Sequence, residues 1–279
     1  SEASKRSMAG KLGSIARLAG YPDALSCPWT QLRYQHTAAI RAQLSQAYKP
    51  STANCMLAAL RGVLKEAWQL GLMPVEEYSR AVALKSVKGH TLPKGRALGT
   101  DELRRLLGAC DGGARGRRDA AMLAVLAGGG LRRSEAVGLD VGDYEAGVGA
   151  LRMRAGKGNK ERVTYLPAWA REAVDKWITL HPTLHPALLL PINKAGRIES
   201  RRLSSQAVLD VLQRIGERAG VEEFAPHDMR RTFITSLLDA GVDLHVRSQL
   251  AGHASVETTK LYDRPGEQAK MRAVERLGL

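Results

Sequence analysis

Cysteine is scarce in this chain: Cys27, Cys55 and Cys110 lie far apart, with no Cys-x-x-Cys between them. The sequence therefore points to neither a disulfide framework nor a zinc or other metal site, and a reducing cytosol suits it best. No apolar run approaches the roughly 18 residues that a membrane span needs, and Ser1–Gly20 has no apolar signal core. Internal repeats and low-complexity tracts are absent as well, which argues against solenoid and compositionally disordered classes. The first residue is Ser1 rather than Met, so the N-terminus is either a cut end or the product of trimming. Acidic residues are the last shortage: 28 Asp plus Glu stand against 42 Lys plus Arg, leaving +14 over 279 residues.

That imbalance, in a chain of ordinary apolar content, reads as a folded protein with a polyanionic partner; the plainer alternative is a soluble basic protein. The charge is uneven. Residues 1–90 hold 12 basic and 5 acidic side chains, so half of the excess falls in the first third of the chain. Such a density suits an electrostatic grip on a phosphate backbone.

The length allows two domains. From Ser51 to Leu72 the residues Met56, Leu57, Leu60, Val63, Leu64 and Trp68 recur at helical spacing, with Ser51 or Thr52 as cap and Gly71 as terminator. Weaker patterns over Ser7–Ala19, Thr30–Ala47 and Pro74–Ala83 complete an all-helical N-terminal bundle, in which Trp29 and Trp68 are expected to be core. Lys85–Ala97, with two glycines, a proline and four basic residues, reads as an extended linker. The expected division is residues 1–85 as a helical domain, 86–97 as a basic linker and 98–279 as a second domain.

In that second domain Thr100 is placed to cap a helix carrying Leu103, Leu106 and Leu107, and Arg118–Ala127 is another, broken by Gly128-Gly-Gly. Ala150–Arg154 and Arg162–Leu166 alternate around a Gly156–Lys160 turn, predicting a β-hairpin with Lys157 near its tip. Helices are expected at about 168–180, 204–219, 228–240 and 243–251, then a short one from Ser255 to Tyr262 and a tail helix near 266–277. The fold class is mainly α with a small antiparallel sheet.

Five short segments carry chemistry: Gly130-Leu-Arg132-Arg-Ser-Glu135, Gly156-Lys-Gly-Asn-Lys160, His227-Asp-Met-Arg230, Gly252-His253, and Tyr262. Breaking a phosphodiester places negative charge on the nonbridging oxygens and requires a proton on the departing 5′ oxygen. Arg132 and Arg230 are permanent cations whose planar forks match phosphate. The i, i+3 spacing of His227 and Arg230 puts both on one helix face. Lys157 can act as the acid, His253 can hydrogen-bond phosphate or assist the nucleophile, and Tyr262 can form a covalent ester with phosphate. Each segment alone is better read as a solvated pair, a plain turn or a packing tyrosine; their joint order is what carries the inference.

With these motifs the chain resembles the tyrosine recombinases, or phage integrase family, of the Xer and Cre type. The resemblance covers the stretch from about Thr100 to Tyr262 and, more loosely, the N-terminal bundle. It rests on Gly130-Leu-Arg132-Arg-Ser-Glu135 with Gly138-Leu139, Gly156-Lys-Gly-Asn-Lys-Glu-Arg162, Pro226-His-Asp-Met-Arg-Arg-Thr-Phe233, and Leu250-Ala-Gly-His253 through Thr258-Thr259 to Tyr262. It implies a helical core-binding domain and a mixed α/β catalytic domain that close as a C-shaped clamp on DNA. It also implies a catalytic set of Arg132, rather than Arg133, with Lys157, His227, Arg230, His253 and the nucleophile Tyr262. Arg231 stands where many members carry histidine, at a position outside the catalytic set. The resemblance further implies cleavage without ATP, metal or other cofactor, through a 3′-phosphotyrosyl enzyme and a Holliday junction. Four protomers would act on two double-stranded DNA sites, with a monomer possible without DNA and the tail from Arg264 to Leu279 docking on a neighbour. The compact layout matches the two-domain type, in the bacterial cytoplasm and associated with the nucleoid. Lys94, Arg96, Arg152, Arg154, Lys160, Arg162, Arg201 and Arg202 are candidate phosphate contacts. A type IB topoisomerase and a catalytically silent DNA-binding accessory protein are the alternatives.

Overall fold

The computed structural model describes residues 2–89, 95–154, 161–182 and 185–252. The chain divides into two compact units, Ser1–Pro93 and Lys94–Leu279.

The first unit is helical: α1 (Glu2–Leu18), α2 (Tyr34–Ala47), α3 (Pro50–Gln69) and α4 (Val75–Val82). Its core lies along α3, whose Met56, Leu57, Leu60 and Leu64 meet Ile15 of α1, Ile40 and Leu44 of α2, and Ala81 of α4. Pro50 occupies the first turn of α3, where the missing N–H costs nothing, so Ser51 and Thr52 lie inside the helix rather than capping it. The other end closes as expected, with Gly71 at φ 72° and the Leu72 amide bonded to the Ala67 carbonyl at 2.9 Å. The single helix expected over Thr30–Ala47 is two pieces, a 3₁₀ turn (Trp29–Gln31) and α2. Arg33 is extended between them, and its N–H donates to His36 Nδ1 at 3.0 Å, a local cap that starts the helix afresh. Trp68 corrects the core expectation: it is 36% exposed and stacks on Tyr78 with centroids 5.1 Å apart.

The segment expected as an extended linker is hydrogen-bonded at both of its described ends. Asn54 brackets Val87 through its N–H (2.8 Å) and carbonyl (3.0 Å), while Arg41 and Arg61 donate to the Lys85 and Leu84 carbonyls. On entering the second unit, the Arg96 amide donates to Asp228 Oδ1 at 3.1 Å and the Leu98 amide to Thr232 Oγ1 at 2.8 Å.

The second unit contains α5 (Thr100–Gly108), α6 (Ala114–Leu123), α7 (Arg133–Gly138), β1 (Tyr144–Glu145), β2 (Ala150–Met153), β3 (Arg162–Tyr165), α8 (Ala168–Ile178), α9 (Ser205–Ala219), α10 (Pro226–Asp239) and α11 (Leu244–Ala251). Thr100 is the first helical residue of α5 rather than its cap; Gly99 holds that place, its N–H bonded to Glu102 Oε2 at 2.9 Å. The strands form an antiparallel sheet in the order β1-β2-β3, with Leu151 opposite Thr164 and Met153 opposite Arg162. β2 and β3 flank the segment that holds Lys157. Residues 155–160, and the helices expected after Gly252, lie outside the described residues.

At the centre, α6 runs into a π turn (Ala124–Gly128) in which every residue is buried. The same core takes in Trp177 and Val174 of α8, Leu212 and Ile215 of α9, and Met229 of α10. Two residues past this turn lies Gly130, at φ 65°, where a Cβ would lie 2.2 Å from the Phe233 ring of α10. Only glycine meets both conditions, the left-handed backbone and the close approach.

An ion triad lies against this core, with Arg118 and Asp119 buried and Arg214 42% exposed. Arg118 Nε donates to Asp119 Oδ1 at 2.7 Å, Arg214 donates to Asp119 Oδ2 at 3.0 Å, and Arg118 also reaches the Leu190 carbonyl at 3.0 Å. Asp119 is fully buried. Asp119→Ala would leave Arg118 buried without its anion, and the expected loss of stability is about 3–5 kcal/mol. Equilibrium urea unfolding checks this; a loss under about 1 kcal/mol would show that the triad relaxes at little cost.

Candidate active site

Two of the expected catalytic residues sit in the first turns of α10. Pro226 begins the helix, and the Ala225 N–H donates to Asp228 Oδ2 at 2.9 Å, fixing the N-terminus so that His227 and Arg230 share a face. Arg230 is 1% exposed. Its guanidinium donates to the Gly130 carbonyl at 2.6 Å and, through its second Nη, to the Ala251 carbonyl.

Arg132 stands at the N-cap of α7, directly after the Gly130-Leu131 turn. Glu135, three residues on, returns to hold it twice: Oε2 accepts the Arg132 backbone N–H at 2.8 Å and Oε1 accepts Nη1 at 2.6 Å. The second Nη of Arg132 reaches the Gly252 carbonyl at 3.3 Å. The carboxyl of Glu135 is also bonded at 2.6 Å by Arg162, which donates its other Nη to the Leu250 carbonyl at 2.7 Å. Burial alone would raise the Glu135 pKa. The Arg132 N–H and the two guanidiniums outweigh it and hold the carboxyl below its ordinary value.

Arg132, Arg162 and Arg230 thus converge on three successive carbonyls, Leu250, Ala251 and Gly252, at the C-terminal end of α11. Such carbonyls lack intrahelical partners and form the negative end of the helix dipole, so cations are favoured there. Gly252 caps the helix in the left-handed conformation at φ 62°, with the Arg162 side chain against it where a Cβ would be, 2.3 Å from Cδ. The next residue in the chain is His253.

The structure therefore brings together Arg132, His227 and Arg230; Lys157, His253 and Tyr262 fall outside the described residues. Lys94 and Lys160 do also. Of the other candidate phosphate contacts, Arg96 is bound to Glu102 at 2.7 Å and to the Glu222 carbonyl at 3.0 Å. Arg202 donates to the Val137 and Leu139 carbonyls at the end of α7, and Arg162 is held as described. Arg152, Arg154 and Arg201 keep most of their surface open while pairing with Glu145, Asp143 and Glu199. Glu135 had no role in the sequence reading; the available signal was an acid three residues after Arg132, the spacing of a capping carboxylate. Among the described residues no group of His, Cys, Asp and Glu could hold a metal ion, and no helix is long and apolar enough to cross a membrane.

A model of the phage integrase family matches residues 96–268, more than half of the chain. The tyrosine recombinase XerC of Stutzerimonas stutzeri is 34% identical over 241 residues, covering 84% of this chain and 76% of that protein. XerC of Corynebacterium efficiens is 30% identical over 243 residues, covering 84% and 75%. XerC of Actinobacillus pleuropneumoniae is 35% identical over 211 residues, covering 73% of this chain and 66% of the relative, just under two thirds. Among solved structures, XerH site-specific recombinase bound to palindromic difH substrate aligns with a TM-score of 0.68 at 24% identity, covering 94% of this chain and 74% of that one. A lambda integrase dimer on a COC′ core site aligns with a TM-score of 0.66 at 17% identity, covering 94% and 88%. At these identities the structural matches speak for the fold alone.

The electrostatics of the site are testable at His227. Burial lowers its pKa from the ordinary 6.5, and the nearby charges of Arg230, Arg231 and Arg132 lower it further against the opposing charge of Asp228. The imidazole is therefore neutral at pH 7. Because the unfolded chain takes up this proton first, the stability tied to His227 is complete above about pH 6.5 and falls as pH drops through the lower folded value. An NMR titration of His227 in the DNA-free protein should have its midpoint below 6.5, and a midpoint at or above that value would contradict this electrostatic picture.

Proposed function

The chain belongs to the phage integrase family of tyrosine recombinases, and on that premise we propose that it is a site-specific recombinase cleaving and rejoining DNA through Tyr262. The observation that carries this reading is the convergence of Arg132 and Arg230 on the end of α11, the helix that leads within two residues to His253. A phosphate offers the same donors a full negative charge in place of carbonyl dipoles, in bidentate geometry.

The chemistry follows from the residue types. The Tyr262 hydroxyl gives up its proton, to His253 or to water, as its oxygen attacks the phosphorus of the scissile phosphodiester, forming a P–O bond to the 3′ phosphate while the P–O5′ bond breaks. Arg132 and Arg230 neutralise the charge that grows on the nonbridging oxygens, and fixed donors of this kind each lower the barrier by about 3–4 kcal/mol. Lys157 gives its proton to the departing 5′ oxygen. His227 and His253 supply further hydrogen bonds to the phosphate. The free 5′ hydroxyl then attacks the phosphotyrosine of a partner strand, so the ester conserves the bond and the reaction needs no ATP or metal. Four protomers on two DNA sites complete two rounds of exchange through a Holliday junction. The work is integration, excision or resolution of a mobile element or replicon, on DNA in the bacterial cytoplasm and nucleoid.

Incubation with nicked duplex carrying the target site should give an SDS-stable protein–DNA adduct that persists in EDTA and disappears in Tyr262→Phe. An adduct that survives Tyr262→Phe, or one abolished by chelation, would overturn the mechanism. Exchange of strands between two labelled duplexes separates recombination from simple religation.

Lys157→Ala should slow cleavage by about 100-fold or more, yet recover most of the rate on a substrate whose leaving atom is 5′ sulfur, which needs no proton. Failure to recover would assign the general acid elsewhere.

A further inference from the structure

Arg162 is basic, follows the Lys157 segment and lies in a strand, which in sequence makes it a candidate phosphate contact. The geometry gives it other work. Its side chain is 13% exposed, and both terminal nitrogens are committed inward, to Glu135 at 2.6 Å and to the Leu250 carbonyl at 2.7 Å. Its stem lies where a Cβ on Gly252 would be, so it also supports the left-handed turn immediately before His253. One residue therefore ties together three segments: β3, which follows the segment holding Lys157; α7, whose N-cap is Arg132; and the end of α11.

Counting charge shows why the tie matters. Glu135 is a largely buried carboxylate, 14% exposed, that accepts from both Arg132 and Arg162. With Arg162 present, the trio of two guanidiniums and one carboxylate carries +1, and Arg132 retains attraction for an anion while Glu135 orients it. Without Arg162, Arg132 is left to neutralise Glu135 alone, and the pair has no net charge to offer a phosphate. The planar fork is also required, because it fixes carboxylate and carbonyl in one plane, whereas an ammonium is a point charge.

We propose that Arg162 is a positioning residue for DNA cleavage, which balances Glu135 so that Arg132 stays cationic toward the scissile phosphate and holds the α11 turn in register. The proposal rests on the recombinase reading above. Single-turnover cleavage of nicked duplex at saturating protein, equilibrium DNA affinity across salt, and thermal unfolding should be measured for wild type, Arg162→Met, Arg162→Lys and the double variant Arg162→Met/Glu135→Gln. Arg162→Met should cut the saturating cleavage rate about 100-fold, with the salt slope of binding unchanged because no phosphate contact is lost. Arg162→Lys should fall between the two. The double variant should cleave faster than Arg162→Met, because removing the carboxylate charge returns a net cation at Arg132.

A salt slope shallower by about one with an unchanged saturating rate would make Arg162 a phosphate contact. A lower melting temperature with an unchanged saturating rate would make it a fold brace only, and absence of rescue in the double variant would refute the charge argument. Should Arg162→Met fail to fold, Arg162→Lys with and without Glu135→Gln carries the same comparison. A wild type that forms no Tyr262-dependent adduct would undo the recombinase reading instead, so the two failures are distinguishable.

Discussion

The arrangement of this catalytic unit depends on the unpaired carbonyl end of α11. A helix leaves its last carbonyls without partners, and burying them uncapped costs several hydrogen bonds. Here Leu250, Ala251 and Gly252 take donors from Arg162, Arg230 and Arg132, which come from β3, α10 and the N-cap of α7. Satisfying one helix end therefore fixes the mutual positions of elements far apart in sequence. The supporting structure follows the same demand. The π turn after α6 and the left-handed Gly130 aim the Gly130 carbonyl at Arg230, and Glu135 holds Arg132 from below.

Capping of this kind recurs through the second unit and changes what the excess of basic residues means. Arg105 of α5 donates to the Gly220 carbonyl at the end of α9, while Arg218 of α9 donates to the Ala109 carbonyl at the end of α5, a reciprocal pair. Arg202 does the same for α7. In the first unit Arg41 and Arg61 hold the carbonyls of the segment leaving α4. Arginine suits the task because its several donors can serve two acceptors at once and it never deprotonates. A net charge of +14 is thus partly an internal fastening system and not simply a count of phosphate contacts.

This explains which parts of the fold were legible in the sequence. The long amphipathic helices α3 and α9 and the β2-β3 pairing follow from local periodicity, and the boundary at Gly71 follows from local backbone chemistry. The helix α7 and the strand β1, six and two residues long, are too short to show a period. The break before α2 and the Gly99 cap turn on single hydrogen bonds rather than on patterns. The motif around Arg132 was readable because glycine, arginine and a carboxylate fall within six residues. The internal commitment of Arg162 and Arg96 was not, since the Leu250 and Glu222 carbonyls that their guanidiniums hold lie 88 and 126 residues away. An arginine that braces and one that waits for phosphate look the same as letters.

The motifs themselves have a common physical origin. Arg132 is an N-cap, Arg162 begins a strand, Arg230 lies in the second turn of α10, and Gly252 is a C-cap. At such ends the backbone has groups left over and the chain must turn sharply, so glycine appears where φ is positive and charged side chains appear where donors or acceptors are missing. The same leftover polarity suits an end of an element to a charged ligand: donors already gathered to serve carbonyls are the donors a phosphate requires. A site assembled from element ends is consequently written in short glycine-punctuated motifs. The ordering of those motifs carries the function because each is a corner of one framework, and a corner misplaced by an ångström would move a guanidinium off its acceptor.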